Sequence, residues 1–507
     1  MGFNRRDVLR MSSSSLALAA VGQIPACFVP GAARVSTAAT VSDLSSYDAL
    51  GLAELIRTKQ VAPHEVVEDT IRKIESINPK LNAVIYKTYD RARQRASAGA
   101  GDGPFAGVPF LVKDNATIAG VQLTRGSRAL RNNIPEKTAP FFAAAESAGL
   151  ILVGVTNMPE MGLIDGTENV LYGPTRNPWN LEFSPGGSSG GSAACVAAGV
   201  LPLAHGTDGG GSIRIPASHC GLFGLKASRG RLLPGNFGAP AWPRLVDAGL
   251  SRTVRDTAMY LSVVEDPNTQ LSKLGFVSGK SPRRLKIAVM YEGMLGQAPH
   301  PEVRNAVTAT AQLCGELGHT IDEAKLPLDQ AKLHDAAGRV GAVEVARAVD
   351  SIAKAEAITN LEDGFESRAL GLREEAMRRG PFDEQVAAAL PTLQAGTALL
   401  DQFFQQWDVL LTPVLREPVF KIGMRDQTKF PFKEMNKILW DYVAYTSLHN
   451  ICGTTAMSMP LHWDSNGLPL GSQFAARAGA EATLLGLAYE LEEAHPWASK
   501  RPPIFVT

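Results

Sequence analysis

Cysteine is scarce: five in 507 residues, with no Cys-x-x-Cys pair and no Cys/His spacing suited to a metal. That excludes a disulfide-stapled scaffold and a cysteine-based zinc site, and makes Cys195, Cys220, Cys314 and Cys452 expected buried free thiols. Charge of one sign is also lacking, since 50 Lys and Arg balance 50 Asp and Glu. Without a basic footprint, neither nucleic acid nor an anionic membrane surface is an expected partner. The longest apolar stretch near the N-terminus, centred on Leu16 to Val21, is far short of the roughly 20 residues that span a bilayer. What remains is a chain suited to a small, weakly charged ligand.

Hydrophobic residues make up 45% of the chain and charged residues 20%, so a large core is affordable and disorder is not indicated. The first forty residues stand apart. Arg5, Arg6 and Arg10 form a basic head, followed by an uncharged stretch to Pro25 and small residues beyond, with no Lys or Glu. This resembles a twin-arginine export signal spanning residues 1–38, with cleavage expected near Ser36-Thr37-Ala38 and a periplasmic destination for residues 39–507. Ile24-Pro25-Ala26-Cys27 is only a poor lipoprotein box because of its proline, so lipid anchoring at Cys27 is not favoured.

Downstream, Leu50, Leu52, Leu55 and Ile56, then Val66, Val67, Ile71 and Ile74, recur at helical spacing, with Pro63 placed to open the second helix. Short apolar runs then alternate with helical stretches: Gly107 to Val112, Phe141 to Ala148, Ile151 to Val155, Leu285 to Met290, Pro301 to Leu317, Val409 to Thr412 and Ala480 to Glu493. The pattern predicts an α/β protein, one large domain with a sheet covered by helices on both faces. Asp266 to Pro282 is the only hinge candidate. Asp329 to Gln406 reads as helical and is expected to cap one side of the sheet, with room to shape a substrate mouth.

Glycine is unevenly spread, with twelve of the 48 falling between Gly186 and Gly230. Two serines sit in glycine nests there, in Pro-Gly-Gly-Ser188-Ser189-Gly-Gly-Ser and Asp208-Gly209-Gly210-Gly211-Ser212-Ile-Arg214. Glycines let several N–H groups converge on one point, as phosphate or acyl-transfer oxyanion binding requires. Neither nest continues into a P-loop or a dinucleotide fingerprint, so the oxyanion reading survives better.

A serine nucleophile needs a base. Gly186-Gly187-Ser188-Ser189-Gly190 formally fits the nucleophile elbow of an α/β-hydrolase, which would call on Ser188 and a later histidine such as His449, His462 or His495. Asn177-Pro178-Trp179-Asn180 ahead of it is no buried strand. The other base on offer is Lys113, at the end of the apolar run Val108-Pro109-Phe110-Leu111-Val112. Desolvation at a strand end lowers a lysine pKa far enough for the neutral amine to act near pH 7.

Lys113 in Val-Pro-Phe-Leu-Val-Lys-Asp-Asn, Ser188 and Ser212 in their nests, and the later Gly221-Leu222-Phe223-Gly224-Leu225-Lys226 and Gly467-Leu468-Pro469-Leu470-Gly471 together resemble the amidase signature family. The spacings of 75 and 24 residues and the motif set extend the resemblance over nearly the whole chain after the signal. It implies a single domain with a large twisted mixed sheet between helices and a Ser-cisSer-Lys unit: Ser212 the nucleophile, Ser188 the bridging serine after a cis peptide, Lys113 the general base. By the same resemblance Gly209, Gly210 and Gly211 with Ser212 form the oxyanion hole. Asp208, Arg214 and Ser189 support it, and Lys226 is structural. Gly209 departs from the family pattern, in which a bulkier residue usually precedes Gly-Gly-Ser, which leaves substrate size open.

Several stretches look closest to aminohexanoate cyclic-dimer hydrolases: Thr156-Asn157-Met158-Pro159-Glu160-Met161-Gly162, Thr175-Arg176-Asn177-Pro178-Trp179-Asn180-Leu181, and Ala204-His205-Gly206. A linear neutral or aromatic amide is an equal expectation. The family's tRNA-dependent branch is disfavoured by the export signal and the missing basic patch. The reading implies a small-molecule amide substrate, no cofactor and no metal, and it leaves a homodimer open. Two alternatives stand beside it: an exported esterase using Ser188, and a binding protein that keeps the fold without the activity.

Overall fold

The apolar runs that end in chemistry-bearing residues become the inner strands of one mixed sheet. A computed structural model describes residues 43–99, 101–237 and 240–506; the proposed signal, Arg5, Arg6 and Cys27 lie outside the described residues. Five strands build one half: β1 (Val84–Lys87), β2 (Pro109–Lys113), β3 (Ile151–Thr156), β4 (Leu203–Asp208) and β5 (Phe223–Lys226). β6 (Val246–Ser251) completes it. The other half holds β7 (Lys286–Val289), β8 (Thr320–Glu323), β9 (Val409–Pro413), β10 (Thr455–Trp463) and β11 (Pro469–Ala476). The eleven strands run in the order β1-β3-β2-β4-β6-β5-β10-β11-β9-β7-β8.

β3, β2 and β4 are parallel neighbours, and every residue of all three is buried. Strands covered on both faces read as unbroken apolar runs for this reason. Parallel alignment also puts the carboxyl ends of β2 and β4 at one edge of the sheet, where ligands of open α/β sheets commonly bind. Lys113 closes β2 there, and Thr207 and Asp208 close β4.

The helices fall where periodicity and proline placed them. Ala49–Arg57 and Pro63–Leu81 form the first pair, the second opening on Pro63. Pro140–Ser147, Pro301–Glu316 and Glu481–Ala494 follow the later expectations closely. The 329–406 stretch is helical as expected, with Gln330–Ala355 and Phe382–Gln406 as its long members. Leu333, Val340, Leu393 and Leu400 from these two pack against Ala288, Leu410, Ala456 and Ala475 of the sheet, so they do cap it. Their neighbours do more: Val349, Ala353, Phe365 and Ala369 bury Ala129 and take in Met161 and Leu163, which belong to a turn at the candidate site.

The described residues form one compact unit. Asp266 to Pro282 is not a boundary within it, since Arg231 reaches across that loop to Glu265 at 2.8 Å and Ser272 O at 2.6 Å. Cys195, Cys220, Cys314 and Cys452 are free and buried. Among the described residues no helix is long and apolar enough to cross a membrane, and no cluster of three or more metal-ligating side chains occurs.

Candidate active site

Lys113 is fully buried, and its Nζ donates to Ser188 Oγ at 2.7 Å and Thr207 Oγ1 at 2.8 Å. Burial pushes its pKa down to about 7, against the opposing pull of Asp208 and Asp247. An amine so placed is neutral in a large fraction of molecules at neutral pH, with a hydroxyl already at hydrogen-bond distance. Its backbone N–H donates to His205 Nδ1 at 3.2 Å, which makes His205 Nε2 the protonated nitrogen facing Asp247 Oδ1 at 3.1 Å. His205 therefore braces the lysine's backbone and stays away from the serines.

Ser188 follows a cis peptide bond from Gly187, as the resemblance implied. Its neighbour Ser189 donates its backbone N–H to Ser212 O at 3.2 Å, which ties the two serine-bearing turns together. Ser189 Oγ also accepts from Thr207 N–H and donates to Thr207 O, both at 3.2 Å. Ser189 is thus a clamp between the turn and β4. The helix Gly190–Ala197 begins immediately after it and is buried throughout, which its glycine, alanine and cysteine content permits.

Ser212 is partly exposed, unlike Lys113 and Ser188, and its Oγ makes no hydrogen bond among the described residues. The N–H groups of Gly209, Gly210 and Ser212 are likewise unpaired. Gly211 differs from expectation. Its N–H donates to Asp208 Oδ1 at 2.8 Å, so this donor holds the turn closed and is not presented with the others. An aspartate accepting from an N–H a few residues on is a local turn device, and Asp208-Gly-Gly-Gly211 carried that signal. Gly211 must still be glycine: its φ is +129°, and a Cβ there would lie 2.3 Å from Thr446 Oγ1.

Asp208 and Arg214 do hold the nucleophile's loop. Arg214 Nε and Nη2 form a fork on the Asp208 carboxylate at 2.9 and 2.8 Å, with both side chains wholly buried. The remaining guanidinium donors go to Thr446 O, Gln473 Oε1 and Asn450 Oδ1 at 2.8, 2.7 and 2.6 Å, so all five N–H groups are used. Burial would raise the Asp208 pKa, but the charges of Arg214 and Lys226 and the hydrogen bonds hold it well below the usual carboxylate range. The turn is therefore backed by a permanent ion pair.

Sequence reasoning missed three contributors. Thr207 stands immediately before the second glycine nest, and its hydroxyl oxygen receives both Lys113 Nζ and Asn115 Nδ2, the latter at 3.0 Å. Asn450 donates to Asp208 O at 2.8 Å from 242 residues away, a contact no local pattern announces. Gly162 roofs Ser188: a Cβ there would sit 3.1 Å from Ser188 Oγ. Met161 and Gly162 both take positive φ, 51° and 70°, and Met161 N–H donates to Arg125 O at 2.7 Å. The Arg125 loop is in turn gripped by Asp114, whose carboxylate accepts from Thr124 and Gly126 N–H at 2.8 Å each. The residue after the lysine is thus linked to the turn over the bridging serine.

The histidine alternative finds no geometry. His449 Nδ1 pairs with Thr454 and His462 Nε2 with Thr310, His495 Nδ1 has no partner, and none of the three bonds to Ser188. Lys226, the second buried lysine of the block, donates only to Ala227 O, at 2.7 Å.

Comparison with known proteins identifies the family. The family model described as Amidase matches residues 65–485. AmiC of Mycobacterium leprae (strain TN) is 38% identical over 458 residues, 90% of this chain and 96% of that protein. The 6-aminohexanoate-cyclic-dimer hydrolase of Paenarthrobacter ureafaciens is 32% identical over 489 residues, 90% of this chain and 96% of the enzyme. A solved 6-aminohexanoate cyclic dimer hydrolase complexed with substrate superposes with a TM-score of 0.83 at 30% identity, covering 92% of this chain and all of that one. A bacterial aryl acylamidase of the amidase signature family gives a TM-score of 0.80 at 30% identity, covering 89% and 97%. The chain belongs to the amidase family, the amidase signature enzymes, and is a hydrolase of amide carbon–nitrogen bonds.

Proposed function

We propose that the chain cleaves a carboxamide through an acyl-enzyme on Ser212, with Ser188 carrying the proton to Lys113. The observation that carries this reading is the 2.7 Å hydrogen bond from a fully buried Lys113 amine, its pKa near 7, to Ser188 Oγ. With substrate seated, Ser188 Oγ closes its hydrogen bond to Ser212 Oγ. Ser212 then attacks the carbonyl as its proton passes to Ser188, and the Ser188 proton passes to the neutral amine of Lys113. Reversal of the relay protonates the departing amine, and water repeats the sequence to release the acid. The unpaired N–H groups of Gly209, Gly210 and Ser212 take the developing oxyanion, where losing one donor typically lowers the rate roughly a hundredfold or more.

The substrate is a small neutral amide. The similarity to a 6-aminohexanoate-cyclic-dimer hydrolase and to an aryl acylamidase supports cyclic diamides and aryl anilides as the first compounds to try. No group in this mechanism needs a metal or cofactor. Export rests on the paired Arg5 and Arg6 and the uncharged stretch that follows them; replacing both arginines with lysine should retain the full-length chain in the cytoplasm of its host, and unchanged fractionation would remove that part of the reading.

Incubation with an activated anilide followed by intact-mass measurement should show an acyl adduct in the wild type and none in Ser212→Ala. Turnover by Ser212→Ala would overturn the assignment.

A further inference from the structure

Positions 209 and 245 share one small volume beside the nucleophile. The antiparallel ladder pairs Asp208 of β4 with Val246 of β6, so the next residues outward, Gly209 and Leu245, face each other past its end. Asn450 fixes that relation, because its Nδ2 donates to Asp208 O at 2.8 Å and to Arg244 O at 3.2 Å. A Cβ at Gly209 would meet only the tip of Leu245, Cδ1 at 3.3 Å.

Nothing in the backbone asks for glycine at 209. It is absent from the residues with left-handed φ, whereas Gly211, two residues on, has both the conformation and the crowding that exclude a side chain. The tip of the Leu245 side chain covers the bare position, and as the flexible end of an exposed residue it can turn aside to admit a substituent. Leu245 is 48% exposed, a large apolar side chain open to solvent beside Gly209, three residues ahead of the partly exposed Ser212 in the same turn. Its neighbour Arg244 is drawn off toward Gly341 and Glu344, whose Oε2 lies 3.4 Å away. The rim at this point therefore presents hydrocarbon and not charge. Ligand sites are built this way, with apolar walls around a few fixed polar groups.

We infer that Leu245 is a specificity-determining residue: with Gly209 it forms an apolar subsite for the group flanking the scissile amide, and the enzyme favours amides carrying an uncharged hydrocarbon substituent there. The inference rests on Ser212 being the nucleophile. It is tested by kcat/KM for two pairs of substrates, the p-nitroanilides of hexanoic and acetic acid, and the acetamides of hexylamine and methylamine. In at least one pair the long-to-short ratio should fall about tenfold in Leu245→Ser, a size typical of lost hydrocarbon contacts. Gly209→Val should lower the same ratio by filling the space, and adding Leu245→Ala to it should raise the ratio again. Ratios in Leu245→Ser within twofold of wild type in both pairs, with Ser212→Ala inactive, would overturn the subsite while leaving the nucleophile in place. Turnover by Ser212→Ala would remove both.

Discussion

Two lysines end two strands of the same sheet, both are wholly buried, and burial lowers both to a pKa of about 7. Lys113 at the end of β2 spends its amine on two hydroxyls, Ser188 and Thr207. Lys226 at the end of β5 spends its amine on the carbonyl oxygen of Ala227 and lies near Arg214, whose charge depresses it further. A carbonyl has no proton to give. The comparison teaches that desolvation prepares an amine for proton transfer, but only a hydroxyl partner gives it something to transfer.

The largest effect that tests this contrast is on rate. Lys113→Met should lower kcat by about a thousandfold, within the range general-base removal produces. Lys226→Met, which removes an equally buried amine, should lower it by less than about tenfold, since a single hydrogen bond to a carbonyl is lost. Equal losses would show that burial, and not company, distinguishes catalytic from structural lysine. Both variants are checked by steady-state kinetics on the same anilide.

Next in size is the ion pair behind the oxyanion turn. Asp208→Asn leaves the Arg214 charge buried without its partner, and breaking such a pair typically costs about 3–5 kcal/mol. Urea unfolding should register that loss. A variant as stable as wild type would mean that Gln473, Asn450 and Thr446 O alone satisfy Arg214.

The smallest effect concerns Thr207. Its hydroxyl oxygen accepts from the Lys113 amine and so favours the protonated form. Thr207→Val should therefore lower the Lys113 pKa and move the acid limb of the kcat/KM profile to lower pH, with a loss in plateau rate of about fivefold, since on the plateau the amine is neutral and one neutral hydrogen bond is lost. An acid limb at the wild-type position would show that Thr207 does not touch the titrating form.

Much of this was legible in the chain because the carriers of chemistry sit at the ends of elements with strong local signals. An unbroken apolar run ended in Lys113, and glycine crowding marked both serine turns. Asp208 and Arg214 were identified as loop supports for the same reason, being adjacent to the nucleophile. Asn450, Thr446 and Gln473 were not legible, since they close on the turn from more than 230 residues away and their local sequence says nothing of it. Gly162 is hidden differently: its motif is visible in the chain, but the left-handed turn packed on Ser188 depends on Arg125 and Asp114 of the loop that follows Lys113. The assignment of Gly211 to the oxyanion donors went astray because three glycines look equivalent until Asp208 takes one N–H.

The most direct test of the account is the pH dependence of Ser212 reactivity, measured as the rate of labelling by a fluorophosphonate from pH 5 to pH 10. Because only the neutral amine can accept the proton, the rate should rise with pH around a midpoint near 7 in the wild type and in Lys226→Met, and the rise should be absent in Lys113→Met. A wild-type midpoint near the ordinary lysine value, or a rise that survives in Lys113→Met, would contradict it.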